Sequence, residues 1–243
     1  EDMHTAVHDF AGKPGSLFAG VYDGHGGRTA VEFVTAHLHG AVERELRQGG
    51  AAAAPNRALR EGFLKIDRML MQMGAMHCGT TAVVCLCLRA NGPTSPVTVH
   101  MANVGDSRCL LIPDAGHPVI RLSVDHVATD PAEVQRVLSV GGQVMGNRVG
   151  GSLAVSRALG DHCLKDVGVS AEPHYVEHQV GAHDKFLLMA SDGIWDVMSD
   201  ADAQELCLAS AHLEPSELAQ RVLNEALARG TRDNLSCLIV RLK

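Results

Sequence analysis

Acidic residues stand at the ends of apolar runs throughout this chain: Glu1-Asp2 and, each beside glycine, asparagine or serine, Asp23-Gly24 after 17–22, Asp106 within Gly105-Asp106-Ser107, Asp192 within Ser191-Asp192-Gly193 after 186–190, and Asp233-Asn234 before the last apolar stretch. A strand that ends in such a turn projects its carboxylate from the rim of a sheet. Several carboxylates converging on one rim repel each other unless a cation neutralises them. Hard divalent ions, which take carboxylate and backbone oxygen, are the matching partners. Taken singly, each Asp-Gly pair is an ordinary turn. No DxDxDG loop surrounds Asp23, which removes an EF-hand reading. His25, two residues after Asp23, adds an imidazole able to move a proton near neutral pH.

The elements that must position these groups follow from periodicity. Val31, Val34, Leu38, Val42 and Leu46 recur at helical spacing and predict a helix over 28–47; Leu59, Phe63, Ile66, Leu70 and Met73 predict a second, ending near Gly74. The stretch 49–56 between them reads as a helix-to-helix loop. Short apolar runs at 81–88, 97–102, 108–112 and 119–122, with turns at 91–93 and 103–106, predict hairpin-connected antiparallel strands. Asp130-Pro131-Ala132-Glu133 predicts a helix start and Gly141-Gly142 its end. Further strands are expected over 143–149, 186–190 and 235–242, and helices over 200–209 and 215–229. Strands grouped with strands and helices with helices indicate an α+β fold, with helices outside antiparallel sheet.

Composition narrows the functional classes. The chain has 243 residues, 46% hydrophobic and 20% charged, which suits a globular domain and not a disordered one. Its 21 Lys+Arg against 28 Asp+Glu leave a net charge of −7, so a general basic surface for nucleic acid is excluded, and 3% aromatics disfavour a base-stacking face. No apolar run reaches the ~18 residues of a membrane span. The seven cysteines form no CxxC pair, and Cys85 and Cys87 are expected on opposite faces of a strand. Buried reduced thiols, and with them a cytoplasmic or nuclear location, are the expectation; a zinc site is the alternative.

Motif order then adds a resemblance. Glu1-Asp2-Met3-His4-Thr5, Tyr22-Asp23-Gly24-His25-Gly26-Gly27, Cys78-Gly79-Thr80-Thr81, Asn103-Val104-Gly105-Asp106-Ser107-Arg108, Ser123-Val124-Asp125-His126, the run 153–161, Ala190-Ser191-Asp192-Gly193-Ile194-Trp195-Asp196 and Gly230-Thr231-Arg232-Asp233-Asn234 resemble successive signatures of the PPM/PP2C protein phosphatases. The resemblance implies a four-layer α-β-β-α sandwich and one domain over 1–243, lacking its first N-terminal strand. It implies hydrolysis of phosphoserine and phosphothreonine in proteins at two Mg²⁺ or Mn²⁺ ions, with a weaker third. Asp23 would bridge the two ions, Asp192 and Asp233 would complete one site, and Glu1 with the Gly24 carbonyl would serve the other. Asp2 would lie in a supporting position, Asp106 and Asp196 at the third ion, and His25 would be the general acid. Arg157 and Asp161 would form ion pairs holding a flap segment, and Arg108 would pair with a carboxylate.

The chain departs from the family where many relatives carry a phosphate-binding arginine before the Glu-Asp pair, since the sequence starts at Glu1; Val127-Ala128 also stands where Lys-Pro is common. Phosphoprotein substrates are the implied partners and a monomer the implied state. Two other readings stay open: a catalytically silent interaction module of this fold, and a phosphatase for a small phosphoester.

Overall fold

Two antiparallel sheets face each other across an apolar layer, each closed on its outer side by helices; the computed structural model describes residues 1–48, 54–89 and 95–242. The first half of the chain runs β1 (Met3–His8), β2 (Leu17–Tyr22), β3 (Gly24–His25), α1 (Arg28–Gln48), α2 (Pro55–Gln72), β4 (Gly79–Thr80), β5 (Ala82–Arg89), β6 (Val97–Val104), β7 (Arg108–Pro113) and β8 (Ile120–Arg121). The second half adds α3 (Pro131–Ser139), β9 (Val144–Met145), β10 (Arg148–Val149), β11 (Leu159–Gly160), a 3-10 turn (His162–Val167), β12 (His174–Gln179), β13 (Asp184–Ala190), α4 (Asp192–Trp195), α5 (Asp200–Ala209), α6 (Pro215–Ala228) and β14 (Cys237–Arg241). The loop expected over 49–56 and the turn over 91–93 lie largely or wholly outside the described residues.

The strand order is β1-β2-β5-β6-β12 in one sheet and β14-β13-β7-β8 in the other. Side chains alternate along each strand, so one set fills the gap between sheets and the other meets helices. Ala19, Val21, Val83, Met101, Cys109, Leu111, Leu187 and Met189 form the layer between the sheets. Phe18, Tyr22, Val84, Leu86 and Ala102 pack instead on α1 and α2 through Val34, Leu38, Phe63 and Ile66. On the far side Leu110, Ile112, Phe186 and Leu188 meet Cys207, Leu218 and Val222 of α5 and α6. Central strands buried on both faces read as unbroken apolar runs, which makes them visible in the sequence. Complete burial of a side chain such as Leu86 stabilises by ~1.5–3 kcal/mol, and this double core is what holds the polar rim in place.

Several expectations are corrected. Cys85 and Cys87 share the layer between the sheets rather than opposite faces, because residues two apart on a strand point the same way. The strand expected over 143–149 is a tight hairpin of β9 and β10, turned at Gly146 and Asn147 with φ of 56° and 60°, the left-handed pair that a two-residue turn requires. β12, not predicted, pairs with β6 along its whole length; its sequence HYVEHQ carries only a weak alternation, as expected at a sheet edge. The start of α3 agrees with its sequence signal: Asp130 Oδ1 accepts from the amides of Ala132 at 2.8 Å and Glu133 at 3.0 Å. Among the described residues no helix is long and apolar enough to cross a membrane.

Candidate active site

At the acidic rim a short third sheet, ordered β11-β4-β3, continues β2 and β5 of the first sheet. Asp23 sits where β2 hands over to β3. Its carbonyl accepts from the Thr81 amide at 2.9 Å and Thr80 Oγ1 at 2.9 Å, and its amide donates to Thr81 Oγ1 at 3.2 Å. Thr81 Oγ1 in turn meets Ser107 Oγ at 2.6 Å, joining Asp23 to the turn that carries Asp106. That turn requires Gly105: its φ is +84°, and a Cβ there would stand 2.6 Å from the Thr81 side chain.

Asp192 opens the one-turn helix α4 at the end of β13. Ser191, just before it, donates from Oγ to Asp2 Oδ2 at 2.5 Å and accepts at Oγ from the Ser236 amide at 3.0 Å. One serine therefore ties Asp2, Asp192 and the segment carrying Asp233 together. Glu1 closes the opposite side: Oε2 accepts from the Gly27 amide at 3.2 Å, and its nitrogen donates to Asn234 Oδ1. The Glu1 carbonyl lies 3.1 Å from where a Cβ on Gly24 would be, so the Glu1 and Gly24 backbones are in close approach.

The carboxylates gathered at the rim raise one another, with His25 only a minor offset at Asp106. Burial pushes Asp23 up to about 9, with Asp192, Asp2 and Asp106 adding to the rise. Burial and Asp192 push Asp106 up to about 7. Asp192 is also raised, first by burial and then by Asp233, Asp196 and Asp2, against a lowering hydrogen bond with Asp23. Asp2 Oδ1 is buried and has no hydrogen-bond partner. An orphaned buried oxygen beside mutually repelling carboxylates is left with polar capacity that the chain does not satisfy. The structure thus brings together Asp2, Asp23, Asp106, Asp192, Asp196 and Asp233, with Glu1 and Gly24 at their edge, and the all-oxygen donor set suits Mg²⁺ or Mn²⁺.

His25 stands beside this cluster on β3, and Nε2 is 2.7 Å from Asp161 Oδ2. The contact crosses the intervening strand: in the register His25 opposes Gly79, and Gly79 opposes Gly160. A Cβ at Gly79 would fall 2.0 Å from Asp161 Oδ2, so glycine is needed for the carboxylate to reach the imidazole. Asp161 thus forms its expected ion pair, with His25, while Arg157 binds Glu133 of α3 and the Glu172 carbonyl. The signal exists in the sequence, since Gly160-Asp161 is one more acid beside glycine at a strand end. Arg232, which carries no signal of its own in the sequence, lines a depression of about 360 Å³ with Asp196, Thr231 and Asp233, a cation beside the acidic cluster. Arg108 pairs with Asp125 and Asp200 and covers the Trp195 ring, as expected of a structural residue.

Comparison with known proteins gives the family. The family model described as Protein phosphatase 2C matches residues 1–235. Protein phosphatase 2C homolog 1 of Schizosaccharomyces pombe is 36% identical over 250 residues, covering all of this chain and 68% of that protein. Its namesake in Saccharomyces cerevisiae is 36% identical over 253 residues, covering all of this chain and 88% of that protein. Among solved structures, a C. elegans sex-determining protein superposes with a TM-score of 0.87 at 27% identity, over all of this chain and 61% of that one. A serine-threonine phosphatase 2C from Toxoplasma gondii, with a TM-score of 0.82 at 23% identity over 90% of its length, shares the fold. With the family model matched over residues 1–235 and relatives 36% identical over the whole chain, the chain belongs to the protein phosphatase 2C family of metal-dependent protein serine/threonine phosphatases.

Proposed function

We propose that this chain hydrolyses phosphoserine and phosphothreonine in proteins by direct attack of water on phosphorus at a dinuclear Mg²⁺ or Mn²⁺ centre. The observation that carries the reading is the convergence of strand-end carboxylates, in which Ser191 holds Asp2 beside Asp192 and Asp2 Oδ1 is buried without a hydrogen-bond partner. Asp23 would be shared by both ions, Asp192 and Asp233 would complete one site, and Glu1 and the Gly24 carbonyl would serve the other. Asp2, fixed by Ser191, would orient the set, and Asp106 with Asp196 would hold a weaker third ion. When bound, such ions lower the pKa of water, aim it in line and offset phosphoryl charge.

The chain's own residues supply the rest. A Ser or Thr alkoxide is a poor leaving group and needs a proton. His25 is the donor: Asp161 engages Nε2, which fixes the ring and leaves Nδ1 for the leaving oxygen. Arg232, in the depression beside Asp233, is suited to draw the phosphate group in. Substrates are phosphoproteins, the protein acts as a monomer, and the buried thiols Cys85, Cys87 and Cys109 support a reducing cytoplasmic or nuclear setting. An aryl phosphate and a phosphothreonine peptide should both be hydrolysed only with Mg²⁺ or Mn²⁺, and chelation should abolish turnover. A chain that folds, takes up the ions and leaves both substrates intact would instead be the silent interaction module.

A further inference from the structure

At the end of the second sheet remote from the acidic rim, two turns bring together a different set of ligands. Asp114 follows β7, His117 closes the turn after it, and His183 ends the connection from β12 to β13. His117 Nδ1 is 2.9 Å from Asp114 Oδ1, and His183 Nδ1 is 3.2 Å from Asp114 Oδ2. The two imidazoles stack with centroids 4.1 Å apart. One ligand atom from each of the three side chains lies within 4.8 Å of the others. β7 and β13 run antiparallel, with Arg108 opposite Ala190 at one end and Pro113 opposite Asp184 at the other. The cluster is therefore separated from Asp106 and Asp192 by the length of a six-residue strand, ~20 Å at the usual rise.

The framework is held by backbone and not by the three side chains alone. The Asp114 amide donates to the His183 carbonyl at 2.8 Å, which locks one turn against the other. The His117 amide donates to the Asp114 carbonyl at 3.3 Å, and Gly116 takes the left-handed φ of +94° that closes this turn. Gln204 of α5 donates from Nε2 to the His117 carbonyl at 2.8 Å. The imidazoles remain reachable, with side chains 46% and 60% exposed for His117 and His183. Two nitrogens and a carboxylate oxygen with an open side are the donor set of a borderline ion in tetrahedral coordination, unlike the all-oxygen rim.

We propose that Asp114, His117 and His183 form a second metal site, for one Zn²⁺ or similar transition-metal ion, that clips the β7–β8 turn to the β12–β13 turn. Such an ion binds the folded arrangement and not the unfolded chain, so it raises thermal stability by mass action. It lies outside the hydrolytic centre and does not depend on the activity assigned to that centre.

The test is a Zn²⁺ titration of the whole protein in saturating Mg²⁺, run beside the double variant Asp23→Asn/Asp192→Asn, whose rim competes far less for Zn²⁺. One equivalent of Zn²⁺ should bind, the unfolding midpoint should rise with it, and the zinc-edge fine structure should show two nitrogen scatterers. His183→Asn should weaken that uptake at least ~10-fold, the least that loss of a supporting group costs a metal site, while leaving Mg²⁺-dependent turnover unchanged. The double variant Asp23→Asn/Asp192→Asn should keep the site. In ¹⁵N-histidine spectra of the unaltered chain, two imidazoles should shift on Zn²⁺ addition, a readout that needs no variant to fold. Equal uptake by His183→Asn and the unaltered chain, oxygen-only scatterers, or unshifted imidazoles would each overturn the proposal.

Discussion

Glu133 and Asp23 are both carboxylates withdrawn from water, and their surroundings push them in opposite directions. At Glu133 burial alone raises the pKa, but hydrogen bonds and charge from Arg157, Ser156 and Arg136 outweigh it and pull the group down to about 2. Arg157 Nη2 lies 2.5 Å from Oε1, and Ser156 Oγ donates to Oε2 at 2.6 Å. At Asp23 burial raises the pKa and the neighbours Asp192, Asp2 and Asp106 raise it further, to about 9. The first site carries its own counter-ions in the sequence; the neighbours that act on the second are further acids. A buried acid that the chain itself neutralises is architecture, whereas one crowded by further acids is a place for a ligand.

The largest expected break in this contrast is Asp192→Asn or Asp233→Asn. Each should lower kcat/KM on a phosphothreonine peptide by ~10³-fold or more, since several kcal/mol of charge stabilisation at phosphorus is lost. In the metal-free protein Asp192→Asn should nonetheless raise the melting temperature, because a repulsion is removed. Unchanged turnover would overturn the ligand assignment. Glu133→Gln should do the reverse, keeping metal-dependent turnover in the folded fraction while costing ~3–5 kcal/mol of stability, as breaking one side of a buried pair does; denaturant titration measures it.

His25→Ala should lose ~10²–10⁴-fold on alkyl phosphates and much less on aryl phosphates, whose leaving groups need little protonation. Equal losses would remove the general-acid role. Asp161→Asn should cost ~10²-fold, the effect of a misplaced catalytic group, and should again spare the aryl substrate.

The pH response sharpens the same contrast. Asp23 is raised in the folded state, so its contribution is fully present below the usual 3.8 and is lost as pH rises toward about 9. Glu133 is lowered, so its contribution is fully present above 4.5 and is lost as pH falls toward about 2. Metal-free protein should therefore lose stability between acid and mildly alkaline pH, and Mg²⁺ at pH 8 should restore it. Melting curves that ignore Mg²⁺ at pH 8 would contradict a cation-completed rim. The smallest effect should be that of Gly79→Ala on His25, seen as a loss on alkyl phosphates no larger than that of Asp161→Asn, because a Cβ there would displace Asp161 Oδ2.

Much of the fold and of the acidic rim is legible in the amino-acid sequence. Strands buried on both faces, such as β5 and β13, announce themselves as apolar runs, and the acids at their ends stand next to the turn residues that stop them. β12 is not legible, because an edge strand with His174, Glu177 and His178 resembles a loop. Asp161 is visible as an acid after glycine, but its partner is not: His25 is 136 positions away, and only the register of β3, β4 and β11 brings them together. Asp114, His117 and His183 carry no motif spacing, so they too become a group only where two turns meet.

What the sequence determined by itself was the inventory: which acids end which strands, an imidazole beside Asp23, arginines enough to neutralise Glu133, and two layers of apolar strand to carry them. What tertiary structure decided was which charges face each other. Pair energies fall off with separation and rise as water is excluded, and both quantities are properties of the packed sheets rather than of positions along the chain. The same carboxylate chemistry therefore becomes a structural clasp at Glu133 and a crowd of mutually repelling acids at Asp23.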